Sequence, residues 1–275
     1  MIAWLGPEEL AGQVPAWHGQ DVSVVKELDG LNNRSWLMEV SGERFVLRVD
    51  LHNDAGFERN RITELMVQDR AAKQGLAPEV VFAHPGSGLI VTRYLDGEHL
   101  KLRALTDVAV QELAALLRRV HELPRSGRRF NAVAAAERYF SRLREDDRRT
   151  GERCLNILAS ATEPRSVTLC HNDLVYTNII VGRGMRLIDW EYACDNDPLF
   201  DLATIVAHHE LDSADAQRLL AAYGDVDGRD LPAELPQAVR AYDALHWLWA
   251  AARRDREDAG SDAVSLDRIA GRLFD

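Results

Sequence analysis

The run His171-Asn172-Asp173-Leu174-Val175-Tyr176-Thr177-Asn178, followed by Ile188-Asp189-Trp190-Glu191, holds the side chains that phosphoryl transfer requires. A transferred phosphoryl group is dense in negative charge, so magnesium must bridge the phosphates, and magnesium selects hard oxygen ligands. The Asn178 carbonyl and the Asp189 carboxylate are such oxygens. Asp173, left off the metal, can accept the proton of an attacking hydroxyl. An H-x-D triplet alone arises cheaply by chance. The whole H-x-D-x-x-x-x-N spacing between apolar strands, closed by an apolar-Asp pair one hairpin later, does not. The competing reading is a polar turn capped by Asp and Asn side chains. His171 reads as a structural ring bracing the loop, because Asp173 already fills the role of base.

Such chemistry also needs a basic group on the phosphates. Kinases carry it on the third strand of a small lobe, paired with a Glu on the next helix. Phe45-Val46-Leu47-Arg48-Val49 offers Arg48 there, and a guanidinium can grip phosphate through two parallel hydrogen bonds. The plain alternative is a surface charge. The helix that follows carries Glu58 and Glu64, with Glu64 nearer its middle. A phosphate loop belongs between the first two strands, where Asp29-Gly30-Leu31-Asn32-Asn33-Arg34-Ser35 stands with a single glycine. Backbone N–H groups near Gly30, helped by Asn33, Arg34 or Ser35, could approach phosphate.

The elements that must position these groups change character along the chain. Alternating apolar residues predict strands at 22–28, 35–40 and 44–50, with turns at Asp29-Gly30 and Ser41-Gly42. A helix at 55–74 and strands at 79–83 and 88–93 complete a five-stranded antiparallel sheet with one main helix. Beyond Tyr94-Leu95-Asp96-Gly97 the pattern is helical, with predicted helices at 107–122, 131–148, 199–210, 214–224, 234–256 and 263–273. Residues 167–189 interrupt it as strand, loop, strand, turn, strand, the kind of held loop on which chemistry sits. The expected class is α+β in two lobes, residues 1–94 binding ATP and residues 95–275 carrying catalysis and the acceptor.

Charge and composition narrow the partners. A formal net charge of −11 repels phosphate backbones and argues against a nucleic-acid partner, while it would draw a cationic substrate. Cys154, Cys170 and Cys194 form no CxxC pair and make no disulfide framework. No apolar run approaches the roughly 20 residues that span a bilayer, and MIAWLGPEEL has no basic region ahead of a hydrophobic stretch. The expected location is therefore the cytoplasm, with no membrane partner.

With these residues in hand the chain resembles the choline kinase and aminoglycoside phosphotransferase superfamily. The similar pieces run in order: LDGLNNRSWLMEV, GERFVLRVD, NRITELMVQDRAAKQGLAPEV, TRYLDGEHL, LLRRVHELP, LCHNDLVYTNIIV, RLIDWEYACDNDPLFDLA and LHWLWAAAR. IDWEYA followed by NDPLFDLA is most similar to the choline, ethanolamine and thiamine branch. The resemblance implies a protein-kinase-like fold using ATP and Mg2+. By it, Arg48 stands for the ATP-binding Lys with Glu64 as partner, and Thr92 to Leu95, including Tyr94, form the hinge for adenine. Glu191 lies near the metal, and Asp201 anchors the catalytic loop. Two Trp residues three apart face the acceptor in that family, whereas His246 and Trp249 hold that spacing here. Tyr192, Tyr242 and Asp243 are further candidates to receive a cation.

His208-His209-Glu210 suggests a metal cluster, but neighbours on a helix point about 100° apart and cannot easily share one ion. RRDRED at 253–258 reads as a solvated helical face. The reading that gathers these residues is a kinase for a small cationic alcohol, choline or ethanolamine ahead of thiamine or an aminoglycoside. Its rivals are a nucleotide-binding regulator, or degenerate kinase, and a protein kinase, the last lacking DFG and APE motifs.

Overall fold

The computed structural model describes residues 5–28, 33–50, 61–100, 106–161, 164, 166–254 and 266–274. They fall into two compact units, Met1–Glu98 with Ile180–Tyr192, and His99–Ile179 with Ala193–Asp275. In chain order the structure begins with α1 (Pro7–Ala11), β1 (Val22–Leu28), β2 (Asn33–Val40), β3 (Glu43–Asp50), α2 (Arg61–Lys73), β4 (Val80–His84), β5 (Leu89–Arg93) and β6 (Glu98–His99). It continues with α3 (Asp107–His121), α4 (Ala132–Phe140), α5 (Glu145–Ala159), β7 (Thr168–Cys170), β8 (Ile179–Gly182), β9 (Gly184–Leu187) and β10 (Cys194–Asn196). Helices α6 (Pro198–His208), α7 (Ser213–Tyr223), α8 (Leu231–Ala251) and α9 (Leu266–Phe274) complete it.

The first unit is built on an antiparallel sheet of order β1-β2-β3-β5-β4. Side chains alternate across a strand, so Phe45, Leu47 and Val49 of β3 enter one face. There they join Trp36, Met38, Leu89 and Val91 beneath Leu10, Val14 and Trp17. The same alternation sends Arg48 and Asp50 to the opposite face. On that side α2 buries Glu64, Val67, Gln68 and Ala71. The segment Ile180–Tyr192 belongs to this unit. Gly182 lets it approach the chain closely, since a Cβ there would lie 2.3 Å from the Asp96 carbonyl oxygen.

The second unit is mostly helical. Helices α4, α5, α8 and α9 enclose a core of Ala135, Cys154, Leu158, Trp247, Leu248, Ile269 and Leu273. Helix α6 opens on the Asp197 side chain, which accepts the Leu199 N–H, and on Pro198 at its first turn, where the missing donor costs nothing. Two short strands, β7 and β10, pair antiparallel with Cys170 opposite Cys194. The loop that carries Asp173 starts directly after β7. A single 3-10 turn, Tyr176–Asn178, closes that loop.

The α+β fold and the five-stranded sheet follow the sequence pattern closely. The predicted helix at 131–148 is instead two, α4 and α5, and α5 runs on to Ala159. Packing explains the break. Leu143 turns inward, and Gly151 of α5 lets Leu143 and Phe140 close on it, since a Cβ there would meet them at 2.5 and 2.9 Å. Helix α8 starts earlier than predicted, because Asp230 caps it by accepting the Ala233 N–H and Pro232 fits its first turn. Helix α1 and strand β10 carried too few residues for a periodic signal. The predicted helix residues 55–60, and Glu58 with them, lie outside the described residues, as does Gly30. Among the described residues no helix is long and apolar enough to cross a membrane.

Candidate active site

In the first unit, Arg48 on β3 is almost enclosed. Its Nη2 donates to Glu64 on α2, and its Nη1 donates to Asp189 Oδ1 at 2.7 Å. Glu64 is 2% exposed and also accepts from Arg61, which in turn donates to Asp50. Burial works against the Arg48 charge, yet Glu64, then Asp189, Glu191 and Asp50, outweigh it and hold its pKa above the ordinary range. The guanidinium is permanently charged. A plain surface charge would be solvated, so this enclosure removes that alternative for Arg48. Asp189 itself has a φ of +62°, a left-handed conformation unusual outside glycine, just before the turn Trp190–Tyr192.

The buried Glu191 accepts a hydrogen bond from Asn33 Nδ2 at 3.2 Å. Asn33 opens β2, and its Oδ1 is buried without a partner among the described residues. Thr92 lies in β5 opposite Val46, and the Tyr94 N–H donates to the Arg44 carbonyl at 3.0 Å. That N–H is therefore committed to the sheet, while the Arg44 guanidinium lies over the Tyr94 ring. Tyr192 is half-buried in the same unit.

In the second unit, Asp173 and Asn178 meet directly. Asn178 Nδ2 donates to the Asp173 carbonyl and to Asp173 Oδ2, both at 2.9 Å. The amide nitrogen is thereby committed to the loop, which turns the carbonyl oxygen Oδ1 the other way. A neutral oxygen held in one orientation suits a hard cation. Such an oxygen matches magnesium and not a soft metal.

Asp201 is fully buried on α6 and holds the strained start of the loop. It accepts the backbone N–H groups of His171 at 2.9 Å and Asn172 at 2.8 Å. Asn172 sits at a φ of +64°, and its side chain reaches the Cys194 carbonyl and the Asn196 amide. A third partner of Asp201 is His121 Nε2 at 3.0 Å, whose Nδ1 contacts the Tyr223 hydroxyl at 2.7 Å. His171 is fully buried. His121, Cys170 and Asp201 bring ligand-type atoms within 4.8 Å of one another, but His121 and Asp201 already bond each other and Asp201 supports the loop.

A series of rings lies in the same unit. Tyr176 stacks on His208 at 5.8 Å, His208 meets His246 at 5.8 Å, and His246 meets Tyr242 at 5.4 Å and Trp249 at 5.9 Å. Trp247 belongs to the core and not to this series. Asp243, a sequence candidate for holding a cation, is buried and doubly bonded by Arg272 of α9, so its charge is already met. His208, His209 and Glu210 do not converge. His209 Nε2 bonds the Leu174 carbonyl at 2.9 Å, and Glu210 pairs with Arg268 and Arg272.

Sequence reasoning missed Arg61, Asp50, His121 and Tyr223. Only Arg61 had a local signal, standing one helical turn before Glu64.

A five-stranded sheet with an ion-paired third-strand Arg, ahead of a helical unit bearing an H-x-D-x-x-x-x-N loop, is a kinase-like fold. The choline kinase LicA of Streptococcus pneumoniae shares it, with a TM-score of 0.78 over 97% of this chain and 98% of that one, at 20% identity. Residues 24–242 match the phosphotransferase enzyme family, and the chain belongs to it. It is 32% identical over 226 residues to a thiamine kinase of Escherichia coli, covering 80% of this chain and 76% of that protein. Protein LicA of Haemophilus influenzae is 29% identical over 212 residues, 71% of this chain but only 61% of the relative's own length. The chain is accordingly a member of the phosphotransferase enzyme family.

Proposed function

We propose that this chain transfers the γ-phosphoryl group of ATP, with magnesium, to the hydroxyl of a small cationic alcohol of the choline or ethanolamine kind. The observation that carries the reading is the pair of hydrogen bonds from Asn178 to Asp173. One amide fixes the base and at the same time presents its own oxygen. Asp173 orients the acceptor hydroxyl and takes its proton, and Arg48 meets the nucleotide phosphates while Glu64 holds it in place. Asn178 Oδ1 and the Asp189 carboxylate are the proposed ligands of magnesium, which when bound neutralises charge on the phosphate oxygens. Gly30, Asn33, Thr92 and Tyr94 are assigned to the nucleotide, and Glu191, Tyr192, His246 and Trp249 to the acceptor side. His171 and Asp201 support the loop.

Thiamine is the second acceptor, favoured by the relative that shares 32% identity. The test is ADP release from ATP and magnesium in the presence of choline, ethanolamine, thiamine or kanamycin. One acceptor is expected to stimulate release, and Asp173→Asn should lower kcat about thousandfold, a barrier rise of about 4 kcal/mol. The reading fails if no alcohol stimulates release, or if Asp173→Asn leaves the rate unchanged.

A further inference from the structure

The ring series of the second unit is tied to the loop that bears Asp173. Tyr176 belongs to that loop and stacks on His208. At the other end burial, and next the Asp173 charge, push the Tyr242 phenol well above its ordinary pKa, so Tyr242 lies within electrostatic reach of the base. His246 stands between these two, in ring contact with both His208 and Tyr242. A group that recognises the acceptor beside its reacting hydroxyl belongs in such a place.

Two features make a bare aromatic cage a poor description of it. The Arg253 guanidinium lies 5.1 Å from the centre of the Trp249 ring, so that ring already carries a cation. Asp243 is bound by Arg272 and supplies no uncompensated charge. By contrast His246 Nδ1 is buried and has no hydrogen-bond partner among the described residues. Burial, with the His208 and Arg272 charges adding to it, lowers the His246 pKa to about 3, and a neutral imidazole keeps one nitrogen as an acceptor. A buried polar atom left unpaired is unfavourable, and a ligand that donates to it recovers the loss.

We propose that His246 Nδ1 accepts a hydrogen bond from a nitrogen-bound hydrogen of the acceptor, so that this chain selects amino alcohols keeping an N–H over a quaternary ammonium. The proposal rests on the cationic-alcohol reading above and adds the hydrogen that alcohol must carry. Sites built around a hydrogen bond reject analogues that cannot make it far more strongly than apolar pockets reject an extra methyl.

The series ethanolamine, N-methylethanolamine, N,N-dimethylethanolamine and choline tests this, because charge and hydroxyl persist while the last methylation removes the final N–H. Binding by calorimetry and kcat/KM for ATP-dependent phosphorylation would both be measured. Affinity and kcat/KM should drop about tenfold or more at the last step alone. His246→Phe keeps a ring without the nitrogen and should erase that step. His246→Gln keeps an acceptor and should restore part of it. Because each reading is a ratio between ligands, partial misfolding of a variant does not mimic the result. Equal or tighter binding of choline, a step that survives in His246→Phe, or no binding by any of the four would overturn the proposal. Calorimetry needs no phosphate transfer, so binding with the expected step but without turnover would sink the kinase reading and leave this one standing.

Discussion

The two units hold their candidate residues by opposite means. The first uses charge: Arg48 and Arg61 are threaded between Asp50, Glu64 and Asp189, so that each of these five side chains faces an opposite ion. The second uses neutral or backbone hydrogen bonds: Asp201 takes two main-chain N–H groups and an imidazole, and Asn178 takes the loop through its amide. The difference fits the roles proposed above. Groups meant for nucleotide phosphates gain from partners that can be exchanged when a stronger anion arrives. A base must hold its geometry through the reaction, and buried hydrogen bonds that cannot move supply that rigidity.

The largest effect should come from breaking the neutral frame. Asp201→Ala leaves the His171 N–H, the Asn172 N–H and His121 without their acceptor inside a fully buried site. A loss of about 3–5 kcal/mol in unfolding free energy is expected. Denaturant titration would measure it, and a loss below about 1 kcal/mol would show that the frame is not what holds the loop.

The contrast was only half legible in the sequence. The pairing of Arg48 with Glu64 and the loop shared by Asp173 and Asn178 could be expected from residue type and spacing, and both pairs do meet. The frame around Asp201 could not be read in the same way. His121 lies 80 residues from Asp201, and Tyr223 another 102 from His121, so no local pattern joins them. The break between α4 and α5 was equally silent. Ser141-Arg142-Leu143 holds neither Pro nor Gly, and the reason for the turn is a contact with Gly151. Asp243 misled in the other direction, because its partner Arg272 comes from α9.

Acid should separate the two units next. Burial holds both His209 and His246 at about 3, with the charge on His208 adding to the shift. An unfolded imidazole protonates near 6.5, so between the two values the unfolded chain binds more protons and stability falls as pH falls. Each ring should cost up to about 1.4 kcal/mol per pH unit below 6.5, or about 2 kcal/mol by pH 5. Hydrogen exchange at pH 7.5 and pH 5, corrected for intrinsic rates, should show protection lost in α6 and α8 before β3. His246→Phe should remove about half the pH dependence of global stability. Equal loss in β3 would mean that the acid response is general and that the neutral helices hold no special liability.

The smallest effect sharpens the ionic side. Arg48→Lys keeps the positive charge but gives up the planar fork that reaches Glu64 and Asp189 together. An ammonium on a shorter arm can satisfy one of the two carboxylates well, and it meets a phosphate as a point charge. The KM for ATP should therefore rise about tenfold, equivalent to about 1.4 kcal/mol, while kcat and the KM for the acceptor change little. Steady-state kinetics varying each substrate in turn would show the split. A matching rise in the acceptor KM would mean that Arg48 shapes the whole catalytic arrangement, and the division of labour between a charged unit and a neutral one would no longer describe this enzyme.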